Sequence, residues 1–282
     1  MDTKHVMIVG AGQMGSGIAQ VMAQAGLTTY LYDIDKSAVN NGLTGIAKNL
    51  SRSVEKGRMS EGDMQAAISL LKGSSDLGEA ADCDLVVEAI VENKTAKTKV
   101  FAELDGICPR HAILASNTSS VPITGIAAAT KRPEKVIGMH FMNPVPVMKL
   151  VEIIRGIATD DATYMAVADL TLKLQKTPVE VRDVPGFVSN RVLQMLISEA
   201  ISCLNEGVAT AEGIDNVMKL GMNHTMGPLA TADLIGLDTV LSIQQVMYEG
   251  YGDPKYAPNP LLRQYVQAGW LGKKTGRGFY TY

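Results

Sequence analysis

The chain has 282 residues, 46% hydrophobic and 20% charged, an apolar share large enough to bury a core and to exclude intrinsic disorder. Lys and Arg (26) nearly balance Asp and Glu (29), and the net charge of −3 offers no bulk attraction for nucleic acid or an anionic membrane. Three widely separated cysteines, Cys83, Cys108 and Cys203, support neither a disulfide framework nor a metal cluster, and no apolar run approaches the roughly 18–20 residues that span a bilayer.

The opening Met1-Asp2-Thr3-Lys4-His5 runs straight into a strand-like segment without signal-peptide architecture, so a soluble cytoplasmic protein is expected. Val6-Met7-Ile8-Val9, ending at Gly10, reads as a strand buried on both faces. Ile18, Val21, Met22 and Ala25 then recur at helical spacing up to Gly26, and Thr28 to Asp33 reads as a second strand. Strand, helix, strand is the βαβ unit of a parallel sheet. Further strands are expected over 84–89, 112–116, 136–140, 149–154 and 179–182, with helices near 36–56, 61–71 and 95–106. Such alternation predicts a doubly wound α/β domain of Rossmann type.

After Asp183-Val184-Pro185-Gly186 the texture changes. Val188, Val192, Met195, Leu196 and Leu204 follow a helical period over 187–207, with further helical blocks at 210–220 and 228–248 and a strand-like tail at 279–282. The expected division is a Rossmann-type domain over 1–185 and a mostly α-helical domain over 186–282.

Gly10-Ala11-Gly12-Gln13-Met14-Gly15 fits G-x-G-x-x-G between a strand and a helix. The first glycine permits the tight turn, the second lets a pyrophosphate approach the backbone, and the third lets helix pack on strand, with the phosphate at the helix N-terminus. Asp33 closes the second strand 18 residues after Gly15. A carboxylate there accepts from both adenosine ribose hydroxyls and repels a 2′-phosphate, so NAD is expected over NADP.

The segment from Gly138 to Glu152 carries the chemistry. His140 ends a strand at the carboxyl edge, two prolines force a loop, and Met148 to Ile154 returns. In an antiparallel return centred on Pro146, His140 and Glu152 face each other, six residues either side. A carboxylate that fixes the imidazole tautomer suits a histidine that moves a proton to or from an alcohol while hydride passes to nicotinamide.

These motifs together resemble the short-chain L-3-hydroxyacyl-CoA dehydrogenase family, particularly its bacterial 3-hydroxybutyryl-CoA members. Beside the glycine loop and the His140–Glu152 segment, the resemblance rests on Leu85 to Asn93, Ser116-Asn117-Thr118-Ser119-Ser120, Pro185 to Arg191 and Lys274 to Tyr280. It implies that His140 is the general base, that Glu152 orients it, and that Ser119 and Asn190 hydrogen-bond the reacting oxygen. It implies NAD contacts at Gly10, Gly12, Gln13, Met14, Gly15, Asp33, Glu92, Lys97, Asn117, Ser119, Asn143 and Lys274. It further implies an acyl-CoA substrate and a homodimer formed through the helical domain. On residue type alone, Ser119 and Asn190 equally suit helix caps, and Lys97 and Lys274 suit solvated surface charges.

Between Lys36 and Lys72, six basic residues face three acidic ones, and Arg52 and Lys56 lie four apart on one helix face. The resemblance assigns Asn49, Arg52, Lys56 and Ser119 to the coenzyme A ester. Two alternatives share the two-domain plan: a gulonate-type dehydrogenase of free hydroxy acids, and a non-catalytic NAD-binding protein. The first predicts turnover of a free hydroxy acid, the second dinucleotide binding without turnover.

Overall fold

The computed structural model describes residues 3–282, and the first two residues of the opening expected to lack a leader lie outside the described residues. Strands and helices follow in the order β1 (His5–Val9), α1 (Gln13–Gln24), β2 (Thr28–Tyr32), α2 (Lys36–Glu55), α3 (Glu61–Ser69) and β3 (Leu71–Ser74). The chain continues through β4 (Leu85–Glu88), α4 (Lys94–Ile107), β5 (Ile113–Ser116), α5 (Ile123–Ala127) and β6 (Val136–Phe141). It then forms β7 (Leu150–Arg155), α6 (Asp161–Lys173) and β8 (Thr177–Arg182). Among the described residues, eight strands form one sheet of order β3-β2-β1-β4-β5-β6-β7-β8.

The sheet from β3 to β6 is parallel, β7 returns antiparallel to β6, and β8 runs parallel to β7. The antiparallel return follows from length, because residues 142–149 are too few for the dozen or more that a parallel crossover needs. β1, β4, β5 and β6 are buried almost throughout, as a sheet covered by helices on both faces requires. The core gathers Ile8 of β1 and Leu31 of β2 with Ile18 and Met22 of α1 and Ile46 and Leu50 of α2, all nearly inaccessible.

Two elements of the α/β part depart from the expectations. The helix expected over 61–71 stops at Ser69, and Leu71–Ser74 becomes an edge strand paired with β2. Its Lys-Gly-Ser sequence has little strand preference of its own, and pairing with β2 supplies it. Gly73 is required there, because a Cβ would meet Val39 and Leu43 of α2 at 2.8 Å. α6, absent from the sequence reading, is capped by Asp160, whose carboxylate accepts the Thr163 N–H at 2.6 Å.

The chain divides into two compact units, Met1–Asp183 and Val184–Tyr282. The second comprises α7 (Ser189–Asn205), α8 (Ala211–Asn216), α9 (Pro228–Ile235), α10 (Leu237–Tyr251) and α11 (Pro260–Gln267). Ile197, Ile201, Leu229, Leu237, Val240 and Leu262 form its core. The single helical block expected over 228–248 is cut at Gly236, whose φ of 100° no helix accommodates. The tail makes isolated bridges instead of a strand, because the Phe279 and Tyr280 N–H groups donate to the Asp233 carboxylate at 2.9 Å. Among the described residues, no helix is long and apolar enough to cross a membrane.

Candidate active site

β1 and β4 are neighbours at the point where the strand order reverses, and the glycine loop fills the crevice at their carboxyl ends. Gly10 takes φ 110°, and a Cβ on it would meet the Ala89 carbonyl oxygen at 2.6 Å. A Cβ on Gly15 would lie 1.7 Å from the Gly10 oxygen, whereas one on Gly12 meets nothing within 4 Å. The loop is thus tight where it touches the protein and open at Gly12, the N-cap of α1, where the helix N–H groups are available to a phosphate. That open cradle, with Asp33 beside it, fits a dinucleotide. Asp33 holds the loop in turn: Oδ2 accepts the Ala11 N–H at 2.8 Å and Oδ1 the Asp35 N–H at 3.1 Å. Gln13 and Asn143, both expected at the cofactor, are brought together by a 3.2 Å hydrogen bond, while the half-buried Met14 packs on the core.

Next to the loop, Glu88 ends β4 with no solvent exposure. Its Oε1 accepts from the Lys97 ammonium and the Ile90 N–H, both at 2.7 Å, and its Oε2 from the Ser116 hydroxyl at 2.6 Å. Lys97 is therefore no solvated surface charge: it is 1% exposed and bridges Glu88 to Glu92, whose Oε2 lies 3.2 Å away. The other Glu92 oxygen gathers the loop after β5, accepting from the Thr118 hydroxyl at 2.6 Å and the Ser119 and Ser120 N–H groups at 2.9 and 2.8 Å. Burial pushes the Glu92 carboxyl up, but the Lys97 ammonium and the Thr118 and Ser120 hydroxyls outweigh it and bring the pKa down to about 2. Asn117, expected along the cofactor, turns its Oδ1 to the Phe141 N–H at 2.9 Å and so ties β5 to β6.

Ser119 does not cap the helix after Pro122. Asp183 does so, accepting the Ile123 and Thr124 N–H groups at 3.0 and 2.7 Å. Neither Glu88, Ser116 nor Asp183 was given a role from the sequence. An acidic residue closing an apolar strand was the one visible signal, in Leu85-Val86-Val87-Glu88.

His140 on β6 and Glu152 on β7 are register partners, as the count from Pro146 predicts. His140 Nδ1 and Glu152 Oε2 lie 2.8 Å apart, with the histidine 8% and the glutamate 2% exposed. A carboxylate at Nδ1 places the ring proton there and leaves proton exchange to Nε2. The connecting loop is fixed from beneath: the buried Lys176 ammonium donates to the Val145 and Met148 carbonyls at 2.6 and 2.7 Å. Gly17 in α1 lets Val145 approach, since a Cβ there would meet the valine at 2.9 Å.

Of the residues expected to hold the CoA ester, Asn49 lines a pocket of about 370 Å³ between α1, α2 and the loop at 143–146. α2 ends at Glu55, so Arg52 lies in its last turn and Lys56 is its C-cap, both exposed. In the second unit, Asn190 lies in the first turn of α7, whose N-cap position is Val188, so Asn190 is not the cap. Lys274 is half-exposed and pairs with Asp238 at 2.7 Å.

A Rossmann-type sheet with an open glycine cradle, an aspartate closing its second strand beside that cradle, and a buried His–Glu pair at its carboxyl edge defines a nicotinamide-dependent dehydrogenase. Residues 5–184 match the family model described as 3-hydroxyacyl-CoA dehydrogenase, NAD binding domain, and residues 186–282 that described as 3-hydroxyacyl-CoA dehydrogenase, C-terminal domain. The chain belongs to the 3-hydroxyacyl-CoA dehydrogenase family. It is 60% identical over 282 residues to the probable 3-hydroxybutyryl-CoA dehydrogenase of Bacillus subtilis, covering 100% of this chain and 98% of the relative. The human mitochondrial hydroxyacyl-coenzyme A dehydrogenase is 42% identical, with 99% and 91% covered. The crystal structure of (S)-3-hydroxybutyryl-CoA dehydrogenase from Ralstonia eutropha superposes with a TM-score of 0.98 at 49% identity, covering 100% of this chain and 99% of that one.

Proposed function

We propose that the protein interconverts acetoacetyl-CoA and (S)-3-hydroxybutyryl-CoA with NAD(H). The observation that carries this reading is the 2.8 Å His140–Glu152 pair at the carboxyl edge of a dinucleotide-binding sheet. Bound NAD supplies the hydride acceptor, and NADH the donor. In the oxidative direction His140 Nε2 takes the proton of the 3-hydroxyl, and in reduction it returns a proton to the carbonyl oxygen. Glu152 holds the ring in one tautomer and offsets the imidazolium charge that develops. Ser119 donates a hydrogen bond to the same oxygen, work typically worth about 2–4 kcal/mol. Glu92 sets the Ser119 backbone for that task, and Asp33 with the glycine loop receives the adenosine ribose and pyrophosphate.

The protein acts as a homodimer in the cytoplasm in this reading. Support for the dimer comes from the second unit, which exposes Val192, Val217, Leu220, Met222 and Leu234, more large apolar surface than a lone helical unit favours. The test of the activity is NADH oxidation with acetoacetyl-CoA and with free acetoacetate, repeated with NADPH. Turnover is expected with the CoA ester and NADH; activity confined to the free acid would replace this reading with a hydroxy-acid dehydrogenase.

A further inference from the structure

Three charged side chains meet at the carboxyl end of β4, and their charges do not cancel. Glu88 is 0% and Lys97 1% exposed, whereas 37% of the Glu92 side chain is exposed, so the cluster runs from the core to the surface. The one ammonium lies 2.7 Å from Glu88 Oε1 and 3.2 Å from Glu92 Oε2. Glu88 accepts from Lys97, the Ile90 N–H and the Ser116 hydroxyl. Glu92 accepts from Lys97, the Thr118 and Ser120 hydroxyls and the Ser119 and Ser120 N–H groups. Partners that all donate suit two ionised carboxylates, and Glu92 is held at about 2. Two negative charges and one positive leave the cluster with a net charge of −1.

A neutral Lys97–Glu92 pair would already anchor the loop after β5. Glu88 adds a second carboxylate at the most buried position, where an ion is costly unless it is paired and hydrogen-bonded. It takes up the Lys97 charge at the shorter distance and leaves the Glu92 carboxylate uncancelled. That carboxylate accepts the Ser119 N–H at 2.9 Å, and the proposed function puts Ser119 at the reacting oxygen. Hydride passes between the carbon bearing that oxygen and the nicotinamide, so the ring comes to the same neighbourhood. The oxidised ring carries a positive charge and the reduced ring none, while the rest of the cofactor is identical. We propose that Glu88 biases the site toward the oxidised cofactor, acting through Lys97 so that the cluster presents a net negative charge to the nicotinamide. Glu88 is thus a positioning residue, and the inference rests on the proposed function for the place of the ring.

The test measures the Kd of oxidised NAD and of NADH, by titration calorimetry at neutral pH, in wild type and in Glu88→Gln. Glutamine keeps the shape and can still accept from Lys97 and meet the Ser116 hydroxyl, but the net charge of the cluster becomes zero. Oxidised NAD should weaken about three- to tenfold relative to NADH. Restoring the charge should restore the preference: Glu88→Gln/Lys97→Met leaves Glu92 alone at −1, and its ratio of the two Kd values should return toward wild type. Should Glu88→Gln not fold, Glu92→Gln at the exposed end also brings the cluster to zero, and its ratio should fall alike. A distorted loop weakens both cofactors equally, so an unmoved ratio in the folded variant would overturn the inference, as would a ratio that the double variant does not restore. Turnover of acetoacetyl-CoA by wild type is scored separately. Its absence removes the proposed function, whereas an active wild type with an unmoved ratio removes only the role of Glu88.

Discussion

Glu92 keeps its charge against the cost of burial because Lys97 and the loop hydroxyls need it ionised. A carboxyl held at about 2, below its ordinary 4.5, contributes stability that is complete above pH 4.5 and lost as pH falls toward 2. Glu92→Gln should therefore melt below wild type at neutral pH. The gap between the two melting temperatures should stay level above pH 4.5 and close between pH 4.5 and 2. Calorimetry across pH 2–7 checks this, and a gap independent of pH would mean that the charge of Glu92 holds nothing. The same oxygen that accepts from Thr118 also accepts the Ser119 N–H, so the charge of Glu92 holds the backbone of the residue that the proposed function places at the reacting oxygen.

At the level of elements, the glycine loop separates two requirements that a motif match merges. Gly15 is needed by the protein, since a methyl there would sit 1.7 Å from the Gly10 oxygen. Gly12 is not needed by the protein, since a methyl there meets no protein atom within 4 Å, and in the proposed function it is the bound dinucleotide that requires it. Gly15→Ala should cost about 1–3 kcal/mol of stability. Gly12→Ala should melt like wild type and yet bind NADH about tenfold more weakly, as followed by fluorescence titration. Wild-type NADH affinity in Gly12→Ala would show that the pyrophosphate does not approach at this glycine.

The loop and the β6–β7 return were legible in the sequence because each depends on short-range chain geometry. The turn after β1 is set within six residues, and counting outward from Pro146 fixes the register of His140 and Glu152. The Glu88–Ser116 contact was not legible. It arises because β4 and β5 are neighbours in a parallel register that sets those two residues side by side, a fact of strand order rather than of local sequence. β3 escaped for a related reason, its strand conformation coming from β2 and not from its own residues.

Over the whole molecule, a net charge of −3 averages surfaces of opposite character. The sequence disclosed a basic stretch from Lys36 to Lys72, but only the fold brings Arg58 of that stretch to one pocket with Lys149 and Lys173. The division into an α/β unit and a helical unit follows the change of hydrophobic period near Asp183. The proton is assigned to one residue. The most direct test is therefore single-turnover oxidation of NADH by acetoacetyl-CoA in His140→Gln, alongside NADH binding by fluorescence. The rate should fall about 10²–10⁴-fold while the NADH Kd stays at its wild-type value. Near-wild-type turnover in that variant would contradict the account.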